Sequence, residues 1–261
     1  MAKTIAIIGG GNLGKSIADG LLSNDFEASK LTITRNRIDF LNAYKDQGVA
    51  VTKNNKEAVI NSDIIIIAVK PYKIEAVLEE ISDEITTDKI LVSVVSDFTI
   101  EQISNCLSVQ PSIVRAMPNT AASVNASMTC MASKNASQSD MEEVTSIFNA
   151  LGETILIDEQ LMDAATVLGA CGIAYVLRFI RAMIQGGIEI GFDAKTANKI
   201  ATQTVKGASE LLLKGGNHPE AEIDKVTTPK GCTITGLNEM EHNGFSSALI
   251  KGIKTSLDKI S

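Results

Sequence analysis

Ile5-Ala-Ile-Ile-Gly9-Gly-Gly11-Asn-Leu-Gly14 decides how this chain folds. A short apolar run ends in G-x-G-x-x-G, and a helical pattern opens directly behind it, over residues 12–22. Glycine is needed there for a tight turn, for close approach of backbone to a pyrophosphate, and for close packing of helix on strand. The helix N-terminus then offers unpaired N–H groups and a partial positive charge to phosphate oxygens. On its own the motif carries little weight. Inside a repeating strand–helix pattern it predicts a dinucleotide site.

That pattern extends outward from the motif. Residues 3–8, 31–34, 63–69 and 90–95 read as strands, and residues 12–22, 38–44, 56–60 and 74–81 as helices between them. Ile64-Ile-Ile-Ile-Ala-Val69 is apolar at every position, as a parallel strand covered on both faces requires. Further strands are expected over 112–116, 128–132 and 154–157, with a helix over 139–150. Beyond Glu159 no strand pattern remains, and six helical stretches follow: 161–168, 173–190, 194–213, 221–226, 234–241 and 245–257. The expected fold is α/β: an N-terminal doubly wound, Rossmann-type, mostly parallel sheet over 1–158, then an all-α domain over 159–261.

Composition limits what such a chain does. The 261 residues carry net charge −7, 4% aromatics and no Trp. An acidic chain without a basic block is not expected to bind nucleic acid. Cys106, Cys130, Cys171 and Cys232 are scattered, none is in a C-x-x-C, and His218 and His242 are the only histidines, so no metal site is expected. Scattered cysteines fit the reducing cytoplasm. The N-terminus does not read as a signal peptide. The uncharged stretch 164–177 is shorter than the roughly 20 residues of a membrane span, so a buried helix is expected there and no membrane partner. The apolar content of the helical half is hard to bury in a lone bundle. It favours a homodimer, with a higher oligomer of dimers open, over a compact monomeric bundle.

The end of the second strand bears on the cofactor. An NAD site usually has an acid about 20 residues after the fingerprint. Here Thr34-Arg35-Asn36-Arg37 stands there, with no acid before Asp39. Two guanidiniums suit a 2′-phosphate, so NADP(H) is favoured, with NAD(H) at lower affinity; the plainer alternative is two solvated arginines.

Several segments together resemble the pyrroline-5-carboxylate reductase family. They are Gly9–Gly14, Asn55-Lys-Glu57, Ala68-Val-Lys-Pro71, Val114-Arg-Ala-Met-Pro-Asn-Thr120, Val226-Thr-Thr-Pro-Lys-Gly-Cys-Thr233, and Gly244-Phe245 with Ala248-Leu-Ile250. The resemblance implies reduction of the cyclic imine 1-pyrroline-5-carboxylate to L-proline by hydride transfer from NADPH. It implies that Ile8, Gly9, Gly10, Gly11, Asn12, Leu13 and Gly14 wrap the pyrophosphate. Thr34, Arg35 and Asn36 meet the 2′-phosphate end. Asn55, Ala68, Val69, Lys70, Pro71, Val94, Val95 and Ser96 line the rest of the cofactor path. Gly231, Cys232 and Thr233 bind the small-molecule substrate, with the Thr233 hydroxyl near the ring nitrogen as the catalytic group, and Glu159 lies near the substrate. Independently, Pro229-Lys-Gly231 interrupts a helical pattern, and Thr233 is expected to cap the helix behind it.

The chain departs from the family pattern in three places. Gly169-Ala-Cys-Gly-Ile-Ala-Tyr175 stands where the family has Ser-Gly-Ser-Gly-Pro-Ala-Tyr. Pro229-Lys-Gly-Cys-Thr233 stands for Pro-Gly-Gly-Thr-Thr, and Ser96-Asp97-Phe98 for a small-residue turn with glycine. A related imine reductase with another substrate and a non-catalytic dinucleotide-binding regulator therefore stay open. A β-hydroxyacid dehydrogenase-type enzyme is disfavoured, because its lysine has no counterpart between Lys134 and Lys195.

Overall fold

The computed structural model describes residues 3–260. Met1, Ala2 and Ser261, which carry the expected N-terminus and the outer limits of the expected domains, lie outside the described residues. The strands are β1 Ile5–Ile8, β2 Leu31–Thr34, β3 Ala50–Thr52, β4 Ile64–Ile67, β5 Ile90–Ser93, β6 Ser112–Met117, β7 Ser127–Lys134 and β8 Gly152–Leu156. The helices beside them are α1 Asn12–Ser23, α2 Asn42–Asp46, α3 Asn55–Ile60, α4 Ile74–Ile81, α5 Ile100–Asn105, α6 Gln138–Asn149 and α7 Met162–Ala165. Then come α8 Gly172–Glu189, α9 Ala194–Gly215, α10 Pro219–Lys225, α11 Cys232–His242 and α12 Phe245–Ile260.

One sheet holds all eight strands in the order β3-β2-β1-β4-β5-β6-β7-β8. Every pair is parallel except β6–β7. Strand order reverses between β1 and β4, the switch point at which open α/β sheets bind ligands. The all-isoleucine strand β4 is fully buried, with Ile64 and Ile66 in one core layer and Ile65 and Ile67 in the other. That alternation is why its apolar run has no polar face. β3 was not expected from the sequence; it is a three-residue edge strand without a full alternation. α5 was also not expected, although Thr99 and Gln102 form a capping box at its start.

The chain divides into two compact units at Cys171 and Gly172, beyond the change of pattern near 158–160. No strand occurs after Leu156 among the described residues. In the second unit, Gly172–Lys259, only Ala197 and Ala201 are buried. The stretch 164–177, expected as a buried helix, is buried at Thr166 and Val167, whereas Leu168, Val176 and Leu177 are 70%, 46% and 59% exposed. Within a single chain, burial of this stretch thus ends at Val167. By length and composition alone, Glu159–Glu189 is long and apolar enough to cross a membrane.

Candidate functional site

The sheet builds the first half of the site. β1 ends at Ile8, and Gly9 then takes φ +113°, a conformation L side chains rarely adopt. A Cβ on Gly9 would lie 2.6 Å from the Ala68 carbonyl oxygen, so glycine also lets the ends of β1 and β4 close up. A Cβ on Gly14 would collide with the Gly9 carbonyl, so α1 can pack against the turn only through glycine. Gly11 differs: a Cβ there would meet nothing within 4 Å. Gly11 is the N-cap of α1, with no side-chain cap and no acid in the first turn. The turn therefore presents uncapped helical N–H groups to open space. Ala68 N donates to Ile8 O at 2.8 Å and Val94 N to Ile67 O at 3.0 Å. These bonds bring Gly9, Ala68 and Val94 to the same edge of the sheet. Val94 and Val95 are buried, Ala68, Val69 and Ser96 half-buried, and Lys70 and Pro71 exposed in a 3-10 turn.

The end of β2 lies beside that turn. Gly10 N donates to Thr34 O at 2.7 Å, and the Arg35 guanidinium returns a bond to Gly10 O at 2.7 Å. Arg35 and Arg37 both pack on the Phe40 ring, with Cζ 4.6 and 4.7 Å from its centroid. Neither forms an ion pair among the described residues. Asn36 is exposed. The Asn55 amide is occupied at both ends: its oxygen accepts from Thr34 Oγ1 at 2.7 Å and its nitrogen donates to Glu80 at 3.0 Å. Asn55 thus braces Thr34, whose Oγ1 also accepts from Gly9 N at 3.3 Å.

Two residues near the end of the first unit received no role from the sequence. Arg115 sits in the buried strand β6 with a 3% exposed side chain. Its Nη1 lies 3.1 Å from Glu159 Oε1, its Nη2 is 3.9 Å from Asp163, and its Nε has no partner. Glu159 Oε1 also accepts from the Ile100 N–H at 2.6 Å, so the expected substrate neighbour anchors β6 and the start of α5. A lone arginine in Ser112-Ile-Val-Arg-Ala-Met117 was the available signal, since a buried cation demands an acid. Asn119 is buried; its amide accepts from Ala121 N at 3.0 Å and donates to Gly169 O at 3.3 Å. It joins the Met-Pro-Asn-Thr segment to Gly169, the first residue of the altered glycine segment, within the π-helical turn Thr166–Cys171.

In the second unit the Pro229–Thr233 loop opens α11. Gly231 is the N-cap, no side chain caps the helix, and Gly231 N donates to Thr228 O at 2.9 Å. Thr233 is therefore the second helical residue and not the cap, which corrects the expectation. The reason is Lys230, whose φ of +62° turns the chain and starts the helix early. Cys232 is exposed and Thr233 half-buried. Asp97 has φ +58°. Lys230 and Asp97 thus take left-handed geometry in the two loops where the family pattern has glycine. His218 caps α10 through Nδ1, which accepts from Glu220 N at 3.3 Å.

Comparison with known proteins resolves which family this arrangement serves. Pyrroline-5-carboxylate reductase 2 of Dictyostelium discoideum is 45% identical over 99% of this chain and 92% of its own. The chain belongs to the pyrroline-5-carboxylate reductase family. Pyrroline-5-carboxylate reductase 1 of the same organism is 46% identical over 98% of the chain, which spans about half, 49%, of that relative's length. The crystal structure of Plasmodium falciparum pyrroline carboxylate reductase with NADP bound superposes with a TM-score of 0.91 at 27% identity, covering 99% of this chain and 97% of that one. The family description "Pyrroline-5-carboxylate reductase dimerisation" matches residues 159–261, and "NADP oxidoreductase coenzyme F420-dependent" matches residues 4–97. The chain is thus an oxidoreductase by family, with a Rossmann-type sheet and a dimerisation domain.

Proposed function

We propose that this chain reduces 1-pyrroline-5-carboxylate to L-proline at the expense of NADPH, the last step of proline synthesis. The observation that carries the cofactor half is the uncapped α1 N-terminus at Gly11, open to space, beside two guanidiniums without an acid partner. A dinucleotide with a 2′-phosphate fits that chemistry. The uncapped N–H groups at the start of α1, from Asn12, Leu13 and Gly14, hold the pyrophosphate, and Ile8 with Gly9, Gly10 and Gly11 shapes the turn that lets it approach. Arg35 and Arg37 take the 2′-phosphate, with Thr34 and Asn36 beside them. Thr34 is held in turn by Asn55. The segments Ala68–Pro71 and Val94–Ser96 border the remaining path. Bound NADPH supplies the hydride.

The substrate half rests on the family likeness and on the loop before α11. Backbone N–H groups of Cys232 and Thr233, at a helix start without a side-chain cap, suit a carboxylate, and Gly231 leaves room for its approach. The Thr233 hydroxyl is assigned to the ring nitrogen. An imine is basic enough to arrive protonated, so the chain needs no strong acid. His218 is spent on capping α10, in keeping with that chemistry. The protein's task is orientation of the imine carbon and exclusion of other geometries. Glu159 supports the site from a distance, through Arg115 and the start of α5.

We assign cofactor binding to 1–158 and substrate binding with dimerisation to 159–261. The scarcity of buried residues in the second unit supports a homodimer in which a second copy covers its apolar helices. Four free cysteines support a cytoplasmic location. A second reading, an imine reductase for another cyclic imine, is favoured by Gly169–Tyr175 alone. Steady-state NADPH oxidation separates the two. Turnover of 1-pyrroline-5-carboxylate well above that of a six-membered cyclic imine is expected; NADPH binding without turnover of either would overturn the proposal.

A further inference from the structure

Two cations share one exposed ring beside the phosphate turn. Phe40 is 53% exposed, yet its ring lies 4.6 Å from the Arg35 Cζ and 4.7 Å from the Arg37 Cζ. The 3-10 turn Ile38–Leu41 that carries it is fixed in place. Leu41 is fully buried, and a Cβ on Gly10 would lie 2.9 Å from its side chain. The ring is therefore tied to the phosphate turn through its neighbour in sequence. Arg35 is tied to the same turn by its bond to Gly10 O at 2.7 Å. Arg37 has no hydrogen bond or ion pair to any described residue, so the ring is what fixes it. Like charges crowded on one ring repel each other. The ring's π-face attracts both, and stacking occupies the face of a guanidinium while leaving its N–H edges free.

We propose that Phe40 is a positioning residue for cofactor selection: its ring holds Arg35 and Arg37 as a preformed pair whose free N–H edges take the 2′-phosphate that separates NADPH from NADH. The inference rests on the cofactor assignment above and deepens it. Arg35 keeps its Gly10 bond without the ring, so the loss on removing the ring falls chiefly on Arg37. Ordering one long side chain at the moment of binding weakens affinity by roughly 2- to 12-fold.

The test is titration of the purified full chain and its Phe40→Leu and Phe40→Tyr variants with NADPH and with NADH. Calorimetry with adenosine 2′,5′-bisphosphate and adenosine 5′-monophosphate accompanies it. Leucine keeps apolar bulk without a π-face; tyrosine keeps the face. Phe40→Leu should weaken NADPH and the bisphosphate by about 3- to 10-fold. NADH and the monophosphate should change by less than about twofold, and kcat at saturating NADPH should hold. Phe40→Tyr should bind like the parent. Unchanged NADPH affinity in Phe40→Leu, an equal loss for NADH, or failure of tyrosine to restore binding would overturn the role of the ring. A parent protein that binds the two adenosine phosphates equally would instead sink the cofactor assignment, and this inference with it.

Discussion

Glu159→Gln tests the joint between β6, α5 and the start of the α7 segment. In the parent, the Glu159 carboxylate lies 3.1 Å from a guanidinium whose side chain is 3% exposed. Glutamine keeps an oxygen for the Ile100 N–H but removes the charge opposite Arg115. Breaking a buried pair by removing one partner costs about 3–5 kcal/mol. Here Glu159 and Asp163 are 34% and 40% exposed, and Asp163 remains 3.9 Å from Nη2. Water and the second acid compensate part of the loss, which leaves roughly 1.5–3 kcal/mol. For a chain of this size that corresponds to a melting point lower by roughly 3–12 °C. Urea unfolding should show a lower midpoint at unchanged slope. Arg115→Met, which removes the buried cation itself, should lose less when combined with Glu159→Gln than the two single losses summed. If Glu159→Gln unfolds within about 0.5 kcal/mol of the parent, or the two changes add fully, Arg115 does not depend on Glu159 and the anchoring argument fails.

Three further outcomes are expected, two at the site and one at the opposite end of β4. Replacing Arg35 and Arg37 together by Ala should weaken NADPH binding by about 1.5–3 kcal/mol for each charge-assisted hydrogen bond removed and leave NADH nearly unchanged, as read by titration; equal losses would remove the 2′-phosphate assignment. Thr233→Ala should lower imine turnover with little change in NADPH affinity or melting point, because Gly231 and not Thr233 is the N-cap; unchanged turnover would leave Thr233 without a catalytic part. The Thr4 backbone N–H, outweighing desolvation and aided by the Thr4 hydroxyl, Lys3 and Lys89, holds the Asp63 carboxyl below its usual range. A lowered folded pKa stabilises above the unfolded value of about 3.9 and is lost as pH falls through the folded one. Asp63→Asn should therefore be less stable than the parent at neutral pH, with the gap closing in acid; a gap constant with pH would contradict this.

Much of the fold was legible because its signals are local. The glycine fingerprint, the isoleucine run and the helical half each declare themselves within a few residues. What escaped depends on distant partners or on very short elements. β3 is three residues at a sheet edge, and α5 only six. The antiparallel β6–β7 pairing has no periodicity of its own. Thr233 was misplaced because Lys230 adopts a left-handed turn that glycine would have signalled. Arg115 was visible in its strand, but its partner lies 44 residues away. The Phe40 ring joins two arginines whose grouping no spacing rule announces. The stretch 164–177 was read as buried because its composition is that of a core; within this chain its far end has none to enter.

Hydride delivery to the imine carbon of 1-pyrroline-5-carboxylate is the step on which the proposed activity stands. NADPH carrying deuterium at the transferred C4 position, incubated with the purified chain and this imine, tests it most directly. Mass spectrometry and NMR of the product should find proline with one deuterium at C5 for each NADPH consumed. Proline without deuterium, or NADPH bound and left intact beside unreacted imine, would contradict the account.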